Sequence, residues 1–158
     1  MKNKIIVTPH RRIDTKDSGG KSNGWLLEIN SDRDGFTDHI QGQTYLTVAA
    51  PGLFKGYHAH ALADYFVTCI KGKIREIVYT NKDSKMVTET GDEDFKTIFV
   101  PKGCPHAIEN IGAEDAYVLI YRYPSWSPDV KEQFDIAPEE IENEESWQKL
   151  KQFCENIK

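Results

Sequence analysis

Gly52-Leu53-Phe54-Lys55-Gly56-Tyr57-His58-Ala59-His60, with Asp64 just beyond, and Pro101-Lys102-Gly103-Cys104-Pro105-His106-Ala107-Ile108-Glu109-Asn110 are the two stretches that decide the fold. Residues two apart on a β-strand share a face, so His58 and His60 point the same way and their imidazoles form a converging pair. In the second stretch a Pro-x-Gly turn precedes His106 by three residues, and Asn110 follows four beyond.

Outward from these stretches the sequence reads as short β-like runs: Trp25 to Ile29, Tyr45 to Ala49, Tyr65 to Ile70, Ile74 to Thr80, Lys96 to Val100 and Ala116 to Tyr123. Turn-forming residues separate them, at 17–20, Asp34-Gly35, Pro51-Gly52, Lys71-Gly72, Asn81 to Ser84, Pro101 to Gly103 and Ile111-Gly112. Many short strands at this spacing predict an all-β sandwich or barrel over residues 1–125. After Tyr123 the character changes. Ala137-Pro138-Glu139-Glu140 resembles a helix opening, and Trp147, Leu150, Phe153, Cys154 and Ile157 recur at helical spacing. Residues 126–158 are therefore expected to form a helical extension packed on the barrel or on a second subunit. There Trp147, Leu150 and Phe153 read as a packing stripe, and the acidic tail as a solvated face.

The chain has 158 residues, enough for one domain with a real core, and 39% hydrophobic and 28% charged residues are ordinary for a globular protein. Of its 25 acidic residues, nine fall in 126–158 beside four basic ones, which accounts for the net charge of -5. The remainder is balanced, which excludes a basic nucleic-acid footprint. No apolar run approaches the roughly 20 residues of a membrane span. The opening residues are too short an apolar stretch for a secretory signal, so a cytoplasmic location is expected. Cys69, Cys104 and Cys154 suit neither a disulfide framework nor a zinc knuckle, and are expected to be free thiols.

Written as Gly52-x5-His58-x-His60-x3-Asp64 and Pro101-x-Gly103-x2-His106-x3-Asn110, the two stretches resemble the paired motifs of the cupin superfamily. The resemblance implies a double-stranded β-helix, or jelly-roll, barrel with the histidines inside. Asp64 stands where these motifs usually carry glutamate, the glycine after it comes one residue late at Gly72, and Phe95 occupies another usual glycine position.

Within cupins, Lys55 to His60, Lys71 to Val78, Val100 to His106 and Tyr121-Arg122 are similar to the dTDP-4-dehydrorhamnose 3,5-epimerases and the nucleotide-sugar 3,4-ketoisomerases. That resemblance implies an isomerase acting on a nucleotide-linked 4-keto-6-deoxysugar. A 4-keto group acidifies neighbouring C–H bonds, and a neutral imidazole can take such a proton near pH 7. His58 is the expected base, Tyr121 the group returning a proton, and His60 or Lys55 the partner of the enolate. Lys55 stands where the epimerases usually carry arginine. His106 and Arg122 are expected to bind substrate, with no metal or redox cofactor. The same resemblance implies a homodimer.

A second reading takes His58, His60, Asp64 and His106 as ligands of a divalent transition metal. A third is a non-catalytic sugar-binding or structural cupin. The bland reading of Tyr121 is a core aromatic, and that of His10 and His39 is surface.

Overall fold

The computed structural model describes residues 12–34 and 41–157; His10, Gly35 and His39 lie outside them. Among the described residues, eleven strands form two sheets. They are β1 (Ile13–Lys16), β2 (Ser22–Ser31), β3 (Gln43–Ala49), β4 (Phe54–His60), β5 (Asp64–Lys71) and β6 (Lys73–Asn81). Next come β7 (Ser84–Gly91), β8 (Thr97–Val100), β9 (His106–Asn110), β10 (Ala116–Tyr123) and β11 (Gln133–Asp135). The six-stranded sheet runs β1-β2-β3-β10-β5-β8 and the five-stranded sheet β11-β4-β9-β6-β7, every pairing antiparallel. This is the expected jelly roll.

Strand parity decides which side chains meet between the sheets. Tyr65, Val67 and Cys69 of β5, Val118 and Ile120 of β10, and Ile98 and Val100 of β8 come from one sheet. Ile74 and Val78 of β6 and Ile108 of β9 come from the other, and together these form the buried core. Fully burying one such side chain stabilises the fold by roughly 1.5–3 kcal/mol. The opposite parity of the six-stranded sheet carries Phe66, Phe99 and Tyr121 on the outer face, with the Phe66 ring 5.1 Å from Phe99 and 5.9 Å from Tyr121.

The outer face of the five-stranded sheet is covered by the chain's own C-terminal segment. Tyr57, Ile77 and Tyr79 pack there with Phe134, Ile136, Ile141 and Trp147. Helix α1 (Glu144–Asn156) begins at Asn143, whose side chain accepts a hydrogen bond from the Glu145 amide at 2.8 Å, and two glutamates occupy its first turn. Leu150 is its buried residue, Phe153 meets Phe134 at 5.3 Å, and the Trp147 indole donates to the Ile141 carbonyl. The extension is not only helical. Strand β11 pairs with β4, Gln133 opposite His60 and Asp135 opposite His58, so the barrel wall continues past residue 125. All three cysteines are free. No helix among the described residues is long and apolar enough to cross a membrane.

Candidate functional site

Strand β4 carries His58 and His60 on its inner face, and β9 places His106 opposite His58. Between Gly56 and His58 the register shifts, which sets Lys55 opposite Ile108 on the same inner face despite its odd separation from His58. Gly56 is required here. Its φ is +112°, and a Cβ would lie 2.5 Å from the His106 carbonyl oxygen. The turn before His106 is equally fixed, because the Gly103 amide donates to the His60 carbonyl at 2.7 Å and the Lys102 amide to Asp64 Oδ1 at 2.9 Å.

The three imidazoles converge. Ring centroids are 4.8 Å apart for His58 and His60, 5.1 Å for His58 and His106, and 6.0 Å for His60 and His106. One ring nitrogen from each lies within 4.8 Å of the others, a grouping capable of holding a metal ion. Two buried carboxylates stand behind them. His106 Nδ1 is 2.8 Å from Glu76 Oε1, and His60 Nδ1 is 3.0 Å from Glu132 Oε1. Arg122 donates to the same Glu132 oxygen at 2.9 Å and to the Pro124 carbonyl at 3.0 Å. Tyr65 stacks on His60 with centroids 4.3 Å apart, and its hydroxyl lies 3.3 Å from the same Nδ1, farther than Glu132. His106 Nε2 is buried without a hydrogen-bond partner, as are the second oxygens of Glu76 and Glu132.

Desolvation, reinforced by the neighbouring His106 and His60, holds the His58 pKa well below 6.5, so its ring is neutral at pH 7. Desolvation also lowers His60, partly opposed by Glu132. Burial raises the Glu76 carboxyl, against the opposing pull of His106. Burial would raise Glu132 too, but His60 and Arg122 outweigh it and hold that carboxyl below its ordinary range. Burial alone pushes Lys55 down to about 8, and its amine donates to Thr15 Oγ1 at 2.5 Å.

The other expected site residues lie elsewhere. Tyr121, expected to return a proton, is on the outer face of β10, 36% exposed, its hydroxyl donating to the Gln41 carbonyl at 3.1 Å. Its neighbours Ile120 and Arg122 take the inner parity, so Tyr121 faces away from the histidines. Asp64, expected in the ligand set of the second reading, caps the Lys102 turn and is absent from the grouping of His58, His60 and His106. Arg122, expected to bind substrate, is 3% exposed and ion-paired with Glu132. Asn110 is structural: its amide donates to the Ala49 and Glu114 carbonyls at 2.8 Å, and its oxygen accepts from Gly112. Sequence reasoning missed Glu76 and Glu132. Glu76, sharing the parity of the apolar Ile74 and Val78 on β6, was the readable signal; Glu132 sits outside either motif.

Known proteins resemble this chain in fold and in the process they serve. The spore coat polysaccharide biosynthesis protein SpsL of Bacillus subtilis (strain 168) is 25% identical over 112 residues, covering 67% of this chain and 74% of SpsL. The capsular polysaccharide assembling protein CapF of Staphylococcus aureus superposes with a TM-score of 0.68 at 19% identity, over 82% of this chain and 35% of CapF. Oxalate decarboxylase of B. subtilis superposes with a TM-score of 0.61 at 19% identity, over 84% of this chain and 33% of that enzyme. The chain spans about a third of the length of those two solved proteins, and the likeness shows a shared cupin fold. Residues 24–134, most of the barrel, match the family model described as polysaccharide biosynthesis C-terminal domain, and the chain belongs to that family.

Proposed function

We propose that this protein is an isomerase of polysaccharide-precursor biosynthesis, acting on a nucleotide-linked keto sugar at a centre where His58, His60 and His106 hold a divalent transition metal ion. The observation that carries this reading is the buried, unbonded Nε2 of His106, set in a trio whose other two members also offer ring nitrogens. Two of these histidines have Nδ1 against a carboxylate, the usual backing of a metal-ligating imidazole. Neutral rings are what a metal needs, and His58 and His60 are shifted in that direction. B. subtilis oxalate decarboxylase, which shares the fold, has Mn(II) centres.

A bound cation would supply Lewis acidity toward the ketone oxygen, acidifying the adjacent C–H. The protein's own contribution is the proton carrier. Lys55 occupies the inner face of β4 with a pKa of about 8, so a useful fraction of its amine is neutral near physiological pH. Return of the proton to the same carbon gives epimerisation; return elsewhere moves the ketone.

A metal-free second reading keeps His58 as base, favoured by its being the least buried member of the trio and neutral at pH 7. One experiment separates them: incubation with a nucleotide-linked 4-keto-6-deoxysugar in heavy water, with and without a chelator. Deuterium beside the ketone that is lost with chelator and restored by added metal supports the first reading. Chelator-insensitive exchange that disappears in His58→Asn supports the second, and no exchange under any condition overturns both.

A further inference from the structure

The two carboxylates behind the histidines are not equivalent. Glu76, 0% exposed, has no hydrogen-bond partner among the described residues except His106 Nδ1 at 2.8 Å. Glu132, 4% exposed, divides one oxygen between His60 Nδ1 at 3.0 Å and the Arg122 guanidinium at 2.9 Å. Both are held rigidly. Glu76 is on β6, where it pairs with Ile108 while Val78 pairs with His106, so it reaches the ring from one pleat along. Glu132 is fixed through its backbone as well, its carbonyl accepting from the Ala61 amide at 2.8 Å.

A carboxylate wholly removed from water, with one oxygen unbonded, is a costly feature of a barrel interior. What it provides is control of a ring. A carboxylate facing Nδ1 keeps the proton there, which leaves the lone pair on Nε2 and makes that nitrogen a better donor. Arg122 already neutralises Glu132, so its pull on His60 is the weaker of the two.

We propose that Glu76 and Glu132 are positioning residues that hold His106 and His60 in the Nδ1–H tautomer, with Nε2 free to bind a metal, and that Glu76 contributes more. The inference rests on the metal-holding reading above for its purpose, but not for its test. Arg122 thereby moves from the substrate-binding role expected of it to setting the strength of one of the two carboxylates.

The test has two parts. In metal-free wild-type protein with 15N-labelled histidine, long-range proton–nitrogen correlation spectra should show Nδ1 protonated and Nε2 bare for both His60 and His106. Zinc affinity, measured by competition with a chromophoric chelator, should fall about 10–100-fold in Glu76→Gln and by a smaller factor in Glu132→Gln. Glu109→Gln, a half-exposed carboxylate paired with Arg75 on the outer face of β9, should leave affinity unchanged. An Nε2–H tautomer at either histidine overturns the proposal, as does wild-type affinity in both variants or the reverse ranking. If a variant does not fold, the wild-type spectrum still decides. If the wild type binds no zinc, the metal-holding reading fails while the spectrum continues to judge the positioning roles.

Discussion

His106 Nδ1 lies 2.8 Å from Glu76 Oε1, each on a different strand of the five-stranded sheet, and neither side chain is more than 5% exposed. That pair is polar and buried on the same inner face as the apolar Ile74, Val78 and Ile108.

His106→Ala should release any bound cation and abolish proton exchange, because a three-imidazole site loses most of its affinity with one ligand gone. Asp64→Ala should keep both cation and turnover. It removes only the acceptor of the Lys102 amide, costing about 1 kcal/mol in thermal or denaturant unfolding. Loss of cation from Asp64→Ala, measured by elemental analysis, would return Asp64 to the ligand set.

Tyr121→Phe should leave exchange and metal content within twofold of wild type. The change deletes a hydroxyl that donates to the Gln41 carbonyl on the outer face, and surface changes of that kind shift stability by about 0.5 kcal/mol. A hundredfold loss of exchange would restore Tyr121 as a proton donor.

How much of this was legible in the sequence depended on strand parity. His58 and His60 declare a common face by their spacing, strand and turn patterning gives an all-β barrel or sandwich with a C-terminal helix, and the resemblance to the paired cupin motifs narrows it to a jelly roll with His106 inside. The face of Tyr121 is not legible because β10 is apolar or aromatic at nearly every position, and its charged Arg122 takes the inner parity through a buried ion pair. Lys55 could not be assigned a face, since only the register shift after Gly56 brings it inside with His58. Glu132 was invisible because it arrives from a connection after β10, where no periodicity points inward.

Lys55 should impose a pH limb. Burial lowers its pKa to about 8 from 10.5, so the folded state binds fewer protons than the unfolded chain between those values. The Lys55 contribution to stability therefore rises with pH across that window, and below about 8, where both states are protonated, the burial penalty is fully felt. Exchange catalysed by the neutral amine should climb as pH rises through about 8. Lys55→Met should lose about a hundredfold or more in exchange and flatten both profiles. A limb near 8 that survives the substitution would belong to another group.

Gly56→Ala should couple fold and site. At φ +112° a methyl side chain is strained, and it would press on the His106 carbonyl oxygen from 2.5 Å, so β4 and β9 must separate. Strain of this type costs about 1–3 kcal/mol, read as a lower Tm. Because the same separation pulls His58 from His106, metal affinity should fall with it. A variant with lowered Tm and undiminished affinity would show that the trio does not depend on this strand contact.

The ion pair of Arg122 and Glu132 offers the last prediction, because its two single variants and their double should not add. Arg122 is 3% exposed and Glu132 is 4% exposed, so removing the guanidinium leaves a buried carboxylate whose nearest remaining partner is His60. Breaking a buried pair from one side costs about 3–5 kcal/mol, whereas replacing both partners with well-packed apolar groups is often close to neutral. Arg122→Met should therefore be strongly destabilising in denaturant unfolding, and Arg122→Met with Glu132→Leu should recover a large part of that loss. Both should differ from wild type in the ring-nitrogen spectrum of His60, the first through a carboxylate freed from its competitor, the second through loss of the acceptor. Additive losses in the double variant would mean that Arg122 and Glu132 stabilise the barrel independently, and an unchanged His60 spectrum would mean that neither governs its ring.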